Sequence, residues 1–84
     1  MKRTLDTKRR NVMGKRIRLA RLAAKPPVSQ KDLSGRLAAF GVILDQGAIS
    51  RLEREERYLM DYELLAIARA LRINLAHWSI NCPD

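Results

Sequence analysis

The segment DQGAISRLEREER, residues 45–57, has two sides that require different surroundings. Read as a helix, it places Ile49 and Leu52 three residues apart with Ala48 beside them, which makes one side apolar. The opposite side carries an amide, a hydroxyl, a bare backbone position and guanidinium groups, contributed by Gln46, Gly47, Ser50, Arg51 and Arg54. The segment therefore predicts a short helix with its apolar side on a core and its polar side offered to a partner.

The rest of the chain has helical spacing of apolar residues and no strict polar-apolar alternation. A first helix is predicted over 11–25, with Asn11 as cap and an apolar stripe, ended by Pro26 and Pro27. The stripe consists of Met13, Ile17, Ala20 and Ala24. Because 84 residues allow one small core, the sequence predicts a single all-α domain over 11–84 behind a basic, flexible arm at 1–10.

Three further helices and a short fifth one follow from capping residues and apolar stripes. Ser29, with Asp32 three places later, caps the second helix, and Gly41 suits its left-handed end. Asp45 and Asp61 are expected to cap the third and fourth helices, and the fifth should begin near Asn74. The expected buried stripes are Leu33, Leu37 and Phe40 in the second helix, and Leu64, Ile67, Ala68 and Leu71 in the fourth.

The positive charge is concentrated at the N-terminal end of the chain. The formal net charge is +8, and residues 1–27 hold ten basic side chains against Asp6 alone. Such a charge favours a polyanionic partner, and nucleic acid is favoured over a membrane because no apolar run approaches the ~20 residues of a spanning helix. The start of the chain does not resemble a signal peptide, so a cytoplasmic location is expected.

Enzymatic activity is not expected. His77 is the only histidine and Cys82 the only cysteine, so neither a nucleophile with a base nor a set of metal ligands is present at usable spacing. We expect His77 at the surface, Cys82 as a reduced thiol, and no cofactor or metal. The sequence instead favours a binding function.

Two short helices joined by a turn, the second apolar underneath and hydrogen-bonding on top, are suited to a DNA major groove. At this point the sequence resembles the Xre-like helix-turn-helix family, which includes the lambdoid phage repressor and Cro DNA-binding domains. The similarity covers residues 14–78 through GKRIRLAR, SQKDLSGRLAAFG, AISRLEREER and DYELLAIARAL. Each string is weak alone, but their order and spacing make the resemblance specific, and it implies a compact five-helix, lambda-repressor-like domain.

The resemblance implies a role for each matching residue. Gln46, Ser50 and Arg51 are expected to contact bases, since Gln can read adenine and Arg can read guanine. The expected phosphate contacts are Gln30 and Lys31 at the start of the second helix, Arg54, and Arg10 of the arm. An ordinary solvated helix face remains the alternative for Ser50 and Arg54. Arg21 of the first helix matches the family position that forms a structural ion pair with Glu53.

The sequence departs from the family pattern in three places. The residues AFGVILD lengthen the chain between Leu33 and Ile49, Gly47 replaces a hydrogen-bonding side chain, and two prolines replace the usual glycine-containing turn before Ser29. Gly47 either permits close backbone approach to DNA or represents a lost contact. The longer turn means that the orientation of the third helix cannot be taken over from the family.

The leading functional hypothesis is a sequence-specific transcriptional regulator, a repressor, which binds double-stranded DNA as a homodimer. The dimer surface is expected on the fourth and fifth helices, with core packing as the alternative role of its candidate residues. The second hypothesis is an antitoxin-like module that binds a protein partner, with DNA binding secondary. Binding to a membrane surface through the first helix is a third and weaker one. The dimer candidates are Leu59, Met60, Tyr62, Leu75 and Trp78.

Overall fold

A computed structural model describes residues 9–76, and all regular structure within this range is helical. The helices are α1 (Gly14–Ala23), α2 (Gln30–Ala39), α3 (Gln46–Glu53) and α4 (Asp61–Leu71). The all-helical class expected from the sequence is therefore confirmed. Of the expected fifth helix residues 74–76 are described: Asn74 is not helical, Leu75 and Ala76 are, and the remainder lies outside the described residues.

The core receives side chains from all four helices and from two connections. The apolar stripes expected in α1 and α3 face it, and Val28, Val42 and Leu44 add to it from the connections. Of the stripe expected in α4, Leu64 is only half-buried and does not belong to the core, whereas the other members are buried. None of the helices in residues 9–76 has the length and apolar character needed to cross a bilayer. Among residues 9–76 the largest fully buried side chains are Ile17, Leu33, Leu37, Ile49, Leu52 and Ile67.

Helix α1 begins at Gly14, three residues later than expected, and its N-cap position belongs to Met13, not to Asn11. The Asn11 side-chain oxygen accepts hydrogen bonds from the backbone N–H of Met13 (2.9 Å) and Gly14 (2.8 Å). Its amide nitrogen donates to the carbonyl oxygens of Leu52 (3.2 Å) and Arg57 (2.8 Å). Asn11 thus satisfies the first amides of α1 and ties them to the end of α3.

Helix α2 is capped as expected but does not bury Phe40. The Ser29 hydroxyl accepts from the N–H of Asp32 at 2.9 Å, and Gly41 has a φ of 83°. Phe40, expected in the core, is 48% exposed. It stands at the C-cap, where the chain leaves the helical path, and Val42 and Leu44 fill the core positions beyond it.

The expectation that Asp61 caps α4 is wrong. Asp61 is the first residue of the helix, and its carboxylate accepts from the neighbouring N–H of Tyr62 (2.9 Å). The cap position belongs to Met60, whose N–H donates to the Glu63 carboxylate at 3.0 Å. Glu63 is held in position for this hydrogen bond because it is buried and forms an ion pair with Arg57 at 3.0 Å.

Candidate nucleic-acid interface

Helix α3 exposes one side and buries the other. The Asp45 carboxylate accepts from the N–H of Ala48 at 2.7 Å, which caps the helix as expected. Ala48, Ile49 and Leu52 are buried in the core. The exposed residues on the other side are Gln46, Gly47, Arg51 and Arg54.

The long connection between α2 and α3 is held against the core. Val42 and Leu44 are buried, and the Ser34 hydroxyl donates to the carbonyl oxygen of Leu44 at 2.6 Å. Ile43, between them, is 80% exposed. The additional residues of this connection leave the polar residues of α3 open to solvent, as Gln46 and Arg51 show.

Gln46 and Arg51 are available for a ligand. Within residues 9–76 neither side chain makes an ion pair or a side-chain hydrogen bond. Gly47, between them in sequence, has room for a side chain, because a Cβ there would lie 3.5 Å from both the Arg51 guanidinium and the Asp45 carboxylate. The Arg51 guanidinium therefore lies next to the bare backbone of Gly47.

Ser50 and Arg54 interact with each other. Arg54 donates to the Ser50 hydroxyl and also to the Glu56 carboxylate, at 3.1 Å. The Arg54–Glu56 pair is exposed, so water screens it and a phosphate can compete for the guanidinium. Ser50 is only half-buried, and its hydroxyl proton remains free to donate.

The start of α2 contributes Gln30 and Lys31. Gln30 is half-buried, and its side-chain amide donates to the Glu53 carboxylate at 3.0 Å. Lys31 is exposed and forms no ion pair with any described residue. Of the two expected phosphate contacts, Lys31 is the freer one, and Gln30 has a second amide proton to offer.

Arg21 and Glu53 form the ion pair that the family resemblance implied. The guanidinium donates to the two carboxylate oxygens at 2.7 and 2.9 Å, and a further N–H donates to the carbonyl oxygen of Val28 at 2.9 Å. Both residues are buried. The hydrogen bond to Glu53 raises the pKa of Arg21, so the guanidinium stays charged at any pH at which the protein is handled.

Gln30 is a third member of this cluster, which sequence reasoning missed. With Arg21 and Gln30 as donors, the Glu53 carboxylate joins α1, α2 and α3 at one point. The two helices of the candidate interface are thus fixed to each other by a buried charge. The only sequence signal was the placement of Gln30 in the first turn of α2, which is equally compatible with a free amide.

The last two residues assigned to the arm contact the connection between α3 and α4. Arg9 pairs with Glu55 at 2.9 Å, and the Arg10 backbone N–H donates to the Glu55 carbonyl oxygen at 2.9 Å. The Arg10 guanidinium donates to the Tyr58 hydroxyl at 2.9 Å and lies 5.1 Å from the centre of the ring. Arg10, expected at a phosphate, thus has an exposed intramolecular partner that a phosphate would have to displace.

The candidate dimer residues differ in exposure. Met60 and Tyr62 are 47% and 59% exposed, whereas Leu59 packs against the core, its alternative role. Leu75 is half-buried, and Trp78 lies outside the described residues together with His77 and Cys82. Among residues 9–76 there is no group of three or more His, Cys, Asp or Glu side chains placed to hold a metal ion.

No family model, curated protein or solved structure matches this chain. The resemblance to the Xre-like family therefore remains an interpretation of the motifs.

Proposed function

We propose that this protein is a sequence-specific DNA-binding regulator that reads the major groove with α3 and acts in the cytoplasm as a homodimeric repressor. One observation carries the proposal: α3 is held by three buried apolar residues while Gln46 and Arg51 face solvent without an intramolecular partner among the described residues. An amide can read adenine and a guanidinium can read guanine in the major groove. The resemblance of the motifs to the Xre-like family points to the same function.

The start of α2 supports the proposal as a phosphate site. Lys31 is exposed there, and the first N–H groups of a helix favour an anion. The Arg21–Glu53–Gln30 cluster fixes this end of α2 relative to α3. A backbone contact at α2 would therefore set the register in which α3 meets the bases.

Dimerisation is part of the proposal because one short helix reads few base pairs. A two-fold dimer doubles the site and places the half-sites about one helical turn apart. Met60 and Tyr62 supply exposed apolar area for it.

Selection from random duplexes at physiological salt tests the proposal. We expect an inverted repeat to be enriched, and Arg51→Ala to relax the preference at one position by about 1–3 kcal/mol. Lys31→Ala should weaken binding to all sequences alike, and it should reduce the slope of log affinity against log salt concentration by about 1. Arg69→Ala, the control, removes the same charge from α4 and should change neither the base preference nor the salt dependence. Failure to enrich any sequence would contradict the proposal.

A protein-interaction module is the second candidate function, in which DNA binding would be secondary. The observation in its favour is that Phe40, Tyr62 and Leu65 are each about half exposed, which is more apolar surface than DNA reading needs. A partner complex that survives Gln46→Ala and Arg51→Ala unchanged, in a protein that selects no DNA sequence, would favour this candidate.

A further inference from the structure

An open groove lies between the C-terminal part of α2 and the outer side of α4. It consists of two adjoining cavities of about 380 and 570 Å³, which share Phe40 and Arg69. No residue of α3 lines either cavity, so the groove does not include the polar side of α3. We call it the α2–α4 groove and define it by three apolar residues, Phe40, Tyr62 and Leu65, and four basic ones, Lys25, Arg36, Arg69 and Arg72.

The apolar residues of the α2–α4 groove are not covered by the described chain. Phe40 is 48% exposed at the end of α2, and Tyr62 and Leu65 are 59% and 54% exposed on the first turns of α4. Transfer of such side chains from water to a partner is favourable because apolar surface is removed from water. One end of the groove therefore offers apolar anchor positions.

The other end carries four exposed cations and no acid. No Asp or Glu of the described chain lines either cavity. Lys25, Arg69 and Arg72 form no ion pair within residues 9–76, and Arg36 uses one N–H on the carbonyl oxygen of Ala70 at 2.9 Å. Cations near the C-terminus of α4 are stabilised by the helix dipole, but Lys25 belongs to no helix. No carboxylate among the lining residues compensates the positive charge of the groove.

We propose that the α2–α4 groove binds an acidic peptide segment of a partner protein through one or more apolar side chains. Charge complementarity identifies the partner: four cations without an acid call for a polyanion. The apolar end favours a peptide over nucleic acid, because a phosphate backbone would leave Phe40 and Leu65 uncovered. A second copy of this chain would bring like charges together across the groove.

The site is independent of DNA reading by α3. A peptide bound in the groove leaves Gln46 and Arg51 of α3 uncovered, but it covers Tyr62, which the proposed homodimer also uses, so the peptide competes with that dimer surface. The proposal therefore neither requires nor excludes sequence-specific DNA binding.

Nuclear magnetic resonance of the full chain tests the proposal with a synthetic peptide of about twelve residues, composed of Glu, Leu and one Phe. We expect the largest amide shifts at Gly41, Leu65 and Arg69, and none with a peptide in which Lys replaces Glu. Shifts confined to α3 or spread over α1 would overturn the proposal. Groove shifts of the same size with a random duplex would also overturn it.

Two charge-matched double variants distinguish binding in the groove from general electrostatic attraction between the basic protein and the acidic peptide. Lys25→Glu with Arg69→Glu should weaken binding of the acidic peptide at least about tenfold, since two pairs become repulsive. Lys15→Glu with Arg18→Glu makes the same charge change at exposed positions of α1 and should lower affinity less than about threefold. Phe40→Ala, which removes no charge, should also weaken binding several-fold. Equal losses in the two double variants, with circular dichroism showing both folded, would contradict a site in the groove.

Discussion

Gly14 lies where the start of α1 meets the end of α3, and no side chain fits there. A Cβ would lie 2.4 Å from the carbonyl oxygen of Leu52 and 2.8 Å from that of Glu53, both of which are backbone atoms. We expect Gly14→Ala to lower the free energy of unfolding by about 1–3 kcal/mol, because α1 must move away from α3. Urea denaturation measures the change.

Gly35 provides the control for this substitution. It is exposed on α2, and a Cβ there would meet nothing within 4 Å. Gly35→Ala should stabilise the protein by about 0.5–1 kcal/mol through helix propensity alone. If Gly14→Ala also stabilised the protein, the close contact between α1 and α3 would be wrong.

The Arg21–Glu53 pair gives a second prediction at the scale of single residues. Arg21→Met leaves the buried Glu53 carboxylate with Gln30 as its remaining side-chain donor and should cost about 3 kcal/mol of unfolding free energy. Glu53→Met should cost a similar amount, since a guanidinium is then left buried. The double variant should cost much less than the sum, because two apolar side chains replace the pair. Additive losses in a double-mutant cycle would show that the two groups act separately.

The capping residues give a prediction at the scale of the helix. Asp45→Ala should destabilise the protein by about 1 kcal/mol, because the N–H of Ala48 loses its acceptor and α3 loses its cap. Asp61→Ala should cost only a few tenths of that, since Glu63 supplies the acceptor for Met60 at the start of α4. Thermal unfolding of the two variants compares them directly. An equal loss of stability in the two variants would indicate that Asp61 does cap α4.

Helix positions were largely predictable from the sequence because their signals are local. The Ser29 and Asp45 caps, the left-handed Gly41 and the apolar stripe of α3 each depend on residues within one or two turns. The Arg21–Glu53 pair could be expected only from the family resemblance, since nothing local joins positions 32 residues apart. Local patterns therefore predict elements better than they predict the contacts between them.

The cap of α4 is a local error, since Glu63 takes the role expected of Asp61, but the other errors concern contacts between distant parts of the chain. Asn11 resembles an ordinary cap, yet it also binds carbonyl oxygens 41 and 46 residues away, which fixes where α1 starts. Phe40 continues the stripe of α2, but the connection supplies Val42 and Leu44 to the core in its place. Arg9 and Arg10 are typical of a free basic arm, and their partners Glu55 and Tyr58 carry no signal in a sequence pattern.

At the scale of the whole molecule, the described chain presents two flanks with different chemistry. Helix α3 offers an exposed amide and an exposed guanidinium, and Lys31 is exposed in the first turn of α2, the preceding helix. The α2–α4 groove offers apolar anchors next to uncompensated cations. Because no residue of α3 lines the groove, a ligand bound there leaves Gln46 and Arg51 uncovered.

Nuclear magnetic resonance of the labelled protein with a duplex enriched by selection tests most directly whether α3 reads DNA. We expect the largest amide shifts at Gln46, Gly47 and Arg51, with a second group at Gln30 and Lys31. We also expect the amide shifts of Arg51→Ala to be the same with the enriched duplex and with a scrambled one. Shifts centred on α4, or an equal response to both duplexes in the unaltered protein, would contradict the assignment of α3 as the reading helix.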